Sequence, residues 1–341
     1  MKQICFFSDG TWFSKQTCGI IYKLYTLING DNIVKQYNNG IGTQGCLCTR
    51  IMGGVCGTKL YMNIIQAFKF LSHNVNQEDD IFLFGYSRGA FTVRSLCGML
   101  NIAGLPPLCT DQVANEAFRA YRNCDSQFKE KYCIEKWRKT PKIKLLVVLD
   151  TVGARGIPKM RTCFGKFLRK QYNKKYLFHN CCLGKNVTNA LHVLAAHEDR
   201  KDFEPTLFLE DSRVLQVWFP GNHTDIGGNG SSFIGNKVLQ FILEYCRKHI
   251  KNQSKIINNN RKISKIRKIR KISKISKISK IWCLRRKKRG RILPKHQKYT
   301  VIHHLLFSEK IWKNVFPTGY WAMLDENGII RPLYKFIIND H

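Results

Sequence analysis

Apolar positions along the chain fall into short continuous runs separated by polar, glycine-bearing turns. Strands buried on both faces of a parallel sheet have that pattern. Such runs occupy residues 4–7, 81–84, 143–149 and 214–219. Between them, apolar residues recur at helical spacing: Leu60, Ile64, Ile65, Phe68 and Leu71 in one segment, then residues 187–196 and 238–246 in two others. A further apolar-periodic segment follows Ser87, and Ala103-Gly-Leu-Pro-Pro107 breaks it. Residues 111–138, rich in aromatic and basic positions, predict one or two helices of a cap. Strands alternating with helices imply an α/β fold with a mostly parallel central sheet flanked by helices.

One strand-to-helix junction carries chemistry. Residues 81–91 read Ile-Phe-Leu-Phe-Gly-Tyr-Ser-Arg-Gly-Ala-Phe, a Gly-x-Ser-x-Gly motif with an apolar strand before it and a helix after it. In that context the motif is a nucleophile elbow: the serine sits on a strained turn, and both glycines let strand and helix approach closely. Ser87 is the expected nucleophile, and the Arg88 amide at the helix start points where an oxyanion would form.

The other runs end in polar turns. After the first stand Asp9, Gly10 and Thr11. A dehalogenase-type phosphatase begins similarly, but Phe7 stands where its nucleophilic aspartate would be. The turn is instead expected to lend the Gly10 or Thr11 amide to the oxyanion hole. Asp150 closes the run 143–149, at the strand end where open α/β sheets place functional groups. His223 lies in the glycine-rich turn after the run 214–219, third in the order Ser, Asp, His of the α/β-hydrolases. Asp225 is an alternative acid, and His303 or His304 an alternative base. The G-x-G-x-x-G at Gly40, Gly42 and Gly45 leads into more loop and no acidic residue follows at the right distance, which argues against a dinucleotide site.

Charge changes the picture. The 341 residues carry a net charge of +34, and residues 251–298 hold 20 of the 57 Lys and Arg with no Asp or Glu. Within that tract isoleucine recurs at every third position between basic and serine residues, a period that gives an α-helix no lasting apolar face. The expected organisation is a hydrolase domain, residues 1–250 and 299–341, interrupted by a mobile basic insertion. Clustered Lys and Arg give that insertion an attraction to anionic membrane surfaces or nucleic acid. The 14 cysteines include no C-x-x-C pair and read as reduced core residues; no metal or other cofactor is expected. The initial apolar run is too short for a signal peptide and no stretch is long enough to span a bilayer, so the expectation is a soluble intracellular protein, with peripheral membrane contact through the basic tract. No obligate protein partner can be inferred.

Taken together, Asp9-Gly-Thr-Trp12, Gly40-Ile-Gly-Thr43, residues 84–91 with Arg94, residues 149–154 with Gly156-Ile-Pro158, Glu204-Pro-Thr-Leu207 and residues 217–228 resemble one family. It is the uncharacterised α/β-hydrolase domain family that includes the first family of type VI secretion lipase effectors. The resemblance spans roughly residues 4–246 and implies an α/β-hydrolase with a serine nucleophile, its best-understood members acting on phospholipids. Position by position, Ser87, Asp150, His223 and Asp225 fall on motif residues, and His303 or His304 resembles a weaker histidine motif near the family's C-terminus. The expected activity is hydrolysis of carboxylic esters, lipid esters among them, through a Ser-His-Asp triad. The alternative is an idle hydrolase scaffold that binds nucleic acid or anionic membrane through its basic tract.

Overall fold

The computed structural model of the chain describes residues 1–40, 53–107, 109–125, 127–128, 141–153, 182–200, 203–250, 300–303, 322–324 and 330–332. In chain order the elements are β1 (Gln3–Ser8), α1 (Ile20–Leu27), β2 (Ile33–Asn38), α2 (Gly53–Asn74), β3 (Asp80–Tyr86), α3 (Arg88–Ala103), α4 (Asp111–Asn123), β4 (Ile143–Leu149), β5 (Ala190–Ala195) and β6 (Val214–Phe219). After these come the short α5 (His223–Gly227), α6 (Ser232–Arg247), β7 (Thr300–His303), β8 (Ala322–Leu324) and β9 (Ile330–Pro332). All nine described strands join one sheet in the order β2-β1-β3-β4-β5-β6-β7-β8-β9. Every pairing is parallel except β8 with β9. The described strands beyond residue 299 extend the same sheet, with β7 beside β6.

Successive strand residues point to opposite faces, which is why the strands read as continuous apolar runs. Ile4, Phe6, Leu83, Leu146 and Val148 face a core closed by α2, α3 and α4, where Phe68, Leu71, Val93, Leu96 and Leu100 are buried. Cys5, Phe7, Phe82, Phe84, Val147 and Val193 face the other core, closed by α1, α5 and α6 through Ile20, Leu24, Ile226, Val238 and Ile242. At roughly 2 kcal/mol for each fully buried large apolar side chain, both faces contribute heavily to folding.

One expectation fails here. The segment 187–196, whose spacing suggested a helix, holds strand β5, with every residue from 190 to 195 buried. A central strand covered on both faces has no polar alternation, and periodicity alone cannot tell such a run from a buried helix. Helix α4 falls within the expected cap region, starting where the Thr110 hydroxyl accepts the Val113 N–H; residues 126 and 129–138 of that region lie outside the described residues.

The topology switches direction between β1 and β3. From β1 the chain turns to α1 on one face of the sheet, while from β3, its neighbour, it turns to α3 on the other. The loops leaving the carboxyl ends of β1 and β3 must diverge, and open α/β sheets bind ligands at such switch points. Asp9, Gly10 and Thr11 follow β1, and Ser87 follows β3.

Candidate active site

Ser87 joins β3 to α3 with φ 55° and ψ −117°, a conformation that non-glycine residues adopt only when the surroundings force it. The force comes from close packing. A Cβ at Gly85 would lie 2.6 Å from the Gly89 carbonyl oxygen, and one at Gly89 would overlap the Ser8 carbonyl of β1. Only glycine at both positions lets α3 start directly against the sheet. The Ser87 N–H donates to the Leu149 carbonyl at 2.9 Å, tying the elbow to the end of β4.

Asp150, one residue further, is fully buried and also has a positive φ, 39°. Its Oδ1 accepts the Ala195 N–H at 3.2 Å, so the end of β5 holds one oxygen and leaves the other for a partner. That partner is His223, whose Nδ1 lies 2.7 Å from Asp150 Oδ2 and whose Nε2 lies 2.9 Å from Ser87 Oγ. All three side chains are shielded from solvent. With the aspartate on Nδ1, the neutral imidazole carries its proton there and turns the Nε2 lone pair to the serine hydroxyl.

The imidazole is held on several sides. The Tyr86 ring stacks on it at 4.8 Å, and the Tyr86 hydroxyl donates to the His223 carbonyl at 2.8 Å. Burial, with the negative charges of Asp150 and Asp9, pushes the Tyr86 hydroxyl well above its ordinary pKa and keeps it a donor. Phe203 covers the imidazole at 4.7 Å. The His223 backbone N–H donates to Glu198 Oε2 at 3.0 Å. Burial alone would raise the Glu198 carboxyl, but hydrogen bonds from the Arg200 side chain and from the Arg200 and His223 backbones outweigh it and hold the pKa down to about 2.

Asp225 is not placed with these groups. Its Oδ2 accepts the Asn222 N–H at 2.8 Å and its Oδ1 the Ser231 N–H at 2.6 Å, completing a capping box on α5. His303 closes β7, paired with Leu324 of β8, and His304 lies outside the described residues. Of the first turn's two amides, Gly10 N–H donates to Asp9 Oδ1 at 2.8 Å. Thr11 Oγ1 is buried without a hydrogen-bond partner. Asp9 is itself buried, with Oδ2 accepting from the Tyr37 hydroxyl at 2.7 Å, and its pKa is raised to about 7 by burial against the lowering effect of those two hydrogen bonds.

A second buried histidine, His192, is spent on structure. Its Nε2 faces the Thr151 N–H and hydroxyl, and its Nδ1 lies 3.1 Å from Gln216 Oε1. Arg94, a motif position with no evident chemistry, donates to the Thr206 and Leu207 carbonyls and lies over the Phe208 ring at 3.7 Å. It fastens α3 to the segment 204–208, whose Thr206 N–H in turn donates to the Thr151 carbonyl beside Asp150. Among the described residues no cluster of His, Cys, Asp or Glu could hold a metal ion.

Tyr86, Glu198 and Phe203 escaped the sequence reading. Tyr86 sat in plain view inside the elbow motif; Glu198 and Phe203 lie 25 and 20 positions before His223, with no local pattern to link them.

A parallel sheet sandwiched between helices, with a sharp strand-to-helix turn at its carboxyl edge, is the fold of the α/β-hydrolases. Within it, the chain belongs to the family of type VI secretion phospholipase effector Tle1-like catalytic domains, whose sequence model matches residues 2–245. Among relatives, the uncharacterised protein YEL023C of Saccharomyces cerevisiae is 30% identical over 184 residues, 45% of this chain. The chain spans only 27% of that protein's length. The crystal structure of an uncharacterised protein from Pseudomonas aeruginosa aligns with a TM-score of 0.41 at 13% identity, over 72% of this chain and 45% of that one. The structure of the Tle1 effector bound to the VgrG spike from the type 6 secretion system aligns with a TM-score of 0.36 at 16% identity, over 67% and 51%.

Proposed function

We propose that the protein is a serine hydrolase that cleaves carboxylic esters, with lipid and phospholipid esters as its substrate class. What carries the reading is the unbroken chain from Ser87 Oγ through His223 to Asp150, at 2.9 and 2.7 Å, on a strained elbow at the switch point of the sheet. Membership in a phospholipase effector family supports the lipid substrate.

In this reading Ser87 Oγ attacks the acyl carbon while His223 Nε2 takes the hydroxyl proton, and Asp150 steadies the imidazolium that forms. The carbonyl oxygen becomes an oxyanion facing the Arg88 amide and a second amide from the turn after β1. Gly10 N–H is already committed to Asp9, which favours Thr11 as that second donor. When the tetrahedral species collapses, His223 returns its proton to the departing alcohol. Water then repeats the sequence on the acyl-enzyme, releasing the acid and restoring Ser87.

Labelling with a fluorophosphonate, which phosphonylates activated serines, tests the proposal. Wild-type protein should label and Ser87→Ala should not, with turnover of a soluble ester falling at least about 10³-fold. Full labelling of the Ser87→Ala protein would end the claim that Ser87 is the nucleophile.

A further inference from the structure

Beside the base lies a cation that the hydrolytic steps do not use. Arg200 is half-exposed, yet its guanidinium is fixed: Nε donates to Glu198 Oε1 and Nη2 to Glu198 Oε2, both at 2.8 Å. Glu198 is only 1% exposed and also accepts the Arg200 and His223 backbone N–H groups. The guanidinium lies over the Phe203 ring at 3.8 Å, and the same ring covers the His223 imidazole at 4.7 Å. Arg200, Phe203 and His223 thus form a stack running from solvent to the base. A guanidinium has five N–H donors, two of which are spent on Glu198. Nη1 has no hydrogen-bond partner among the described residues. A buried carboxylate behind a guanidinium orients its free edge outward, and a planar fork of donors suits phosphate or carboxylate oxygens.

The position of this cation decides what it can read. His223 Nε2 protonates the departing alcohol, so the alcohol half of the ester must lie on the histidine side of Ser87. Arg200 stands on that side, one aromatic ring beyond the imidazole. We infer that Arg200 forms a subsite for an anionic group carried on the leaving alcohol, making the enzyme selective for esters whose alcohol bears a phosphate. Phosphate is favoured over carboxylate because a phosphate monoester brings up to two negative charges to the free Nη1/Nη2 edge, where a carboxylate brings one. The inference rests on the hydrolase reading above and narrows its substrate.

The experiment compares two soluble esters with the same short acyl chain, one of glycerol 3-phosphate and one of glycerol. Wild-type protein should prefer the phosphate-bearing ester by roughly ten- to hundredfold in kcat/KM, the range expected of charge-assisted hydrogen bonds. Arg200→Gln should bring that ratio close to one, and Arg200→Lys, which keeps the charge without the fork, should restore part of it. A wild-type ratio near one would overturn the subsite. So would an Arg200→Gln protein that loses activity on both esters equally, since Arg200 would then only brace Glu198. A carboxylate-bearing ester preferred over the phosphate would overturn the choice of phosphate. Calorimetric titration with glycerol 3-phosphate separates this inference from the hydrolase reading. Binding that weakens at least tenfold in Arg200→Gln upholds the subsite even if Ser87 fails to label, and binding unchanged by the substitution refutes it.

Discussion

At the scale of single residues, Asp9 is a carboxyl group whose setting moves its titration to near neutral pH. It sits fully enclosed at the end of β1, and burial lifts its carboxyl to about 7 even though Tyr37 and the Gly10 amide favour the ionised form. In the unfolded chain the same group titrates near ~4. The folded protein therefore holds the proton more tightly. The stability this contributes is complete below about pH 4, declines as pH rises, and is gone once pH passes the folded value of about 7. Across that window the slope is about 1.4 kcal/mol per pH unit. Asp9→Asn stays neutral throughout and should lack the slope. Urea denaturation at pH 5 and pH 7.5 should show the variant gaining on wild type as pH rises; a gap that does not change with pH would mean Asp9 is ionised in the fold. Because the Gly10 N–H donates to Asp9 Oδ1, the same ionisation should strengthen that hydrogen bond in the turn beside Ser87.

At the scale of elements, the short helix α5 separates two aspartates that the sequence left as rivals. Asp225 lies two residues after His223, but one turn of helix carries its carboxyl back to the Asn222 and Ser231 amides, away from the imidazole. Asp150 is 73 residues distant in sequence and reaches Nδ1 directly, because the parallel strands β4 and β6, one strand apart, end at the same edge of the sheet. Asp225→Asn should cost about 1 kcal/mol of stability, the usual value of a helix cap, with kcat close to wild type. Asp150→Asn should instead lower kcat by about 10⁴. Thermal melts and steady-state kinetics on both proteins decide the matter, and the reverse pattern would reassign the acid. The same contrast explains what could be read from sequence. The elbow, the strand ends bearing Asp150 and His223, and the apolar runs of β1, β3, β4 and β6 were legible because local apolar runs and glycine spacing fix them. β5 was misread as helix because a strand buried on both faces loses the alternation that marks strands. Glu198 and Phe203 were missed because only the assembled sheet brings them to His223.

At the scale of the whole molecule, described elements precede and follow the basic tract in sequence. Helix α6 ends at Arg247 and β7 begins at Thr300, paired in parallel with β6. Residues 251–298 lie outside the described residues and fall in sequence between α6 and β7, where ordinary α/β folds need only about 2–6 residues. Surface connections accept long additions cheaply, since each doubling of loop length costs only about 0.6 kcal/mol. The residues proposed for catalysis all precede position 224 and sit at the carboxyl edge of β1, β3, β4 and β6. The Lys and Arg of the tract, 20 in number with no acid among them, each gain about 1 kcal/mol near an anionic membrane. Removing residues 255–290 should accordingly leave kcat/KM on a soluble short-chain ester within about twofold of wild type. Binding to vesicles rich in phosphatidylserine should weaken by at least tenfold at about 50 mM salt, with the difference shrinking as salt screens the charges. Vesicle sedimentation and ester kinetics on one preparation would separate the two effects. A deletion protein that melts cooperatively but no longer turns over the soluble ester would place the tract within the catalytic unit, and one that keeps full vesicle affinity would move the membrane contact outside the tract.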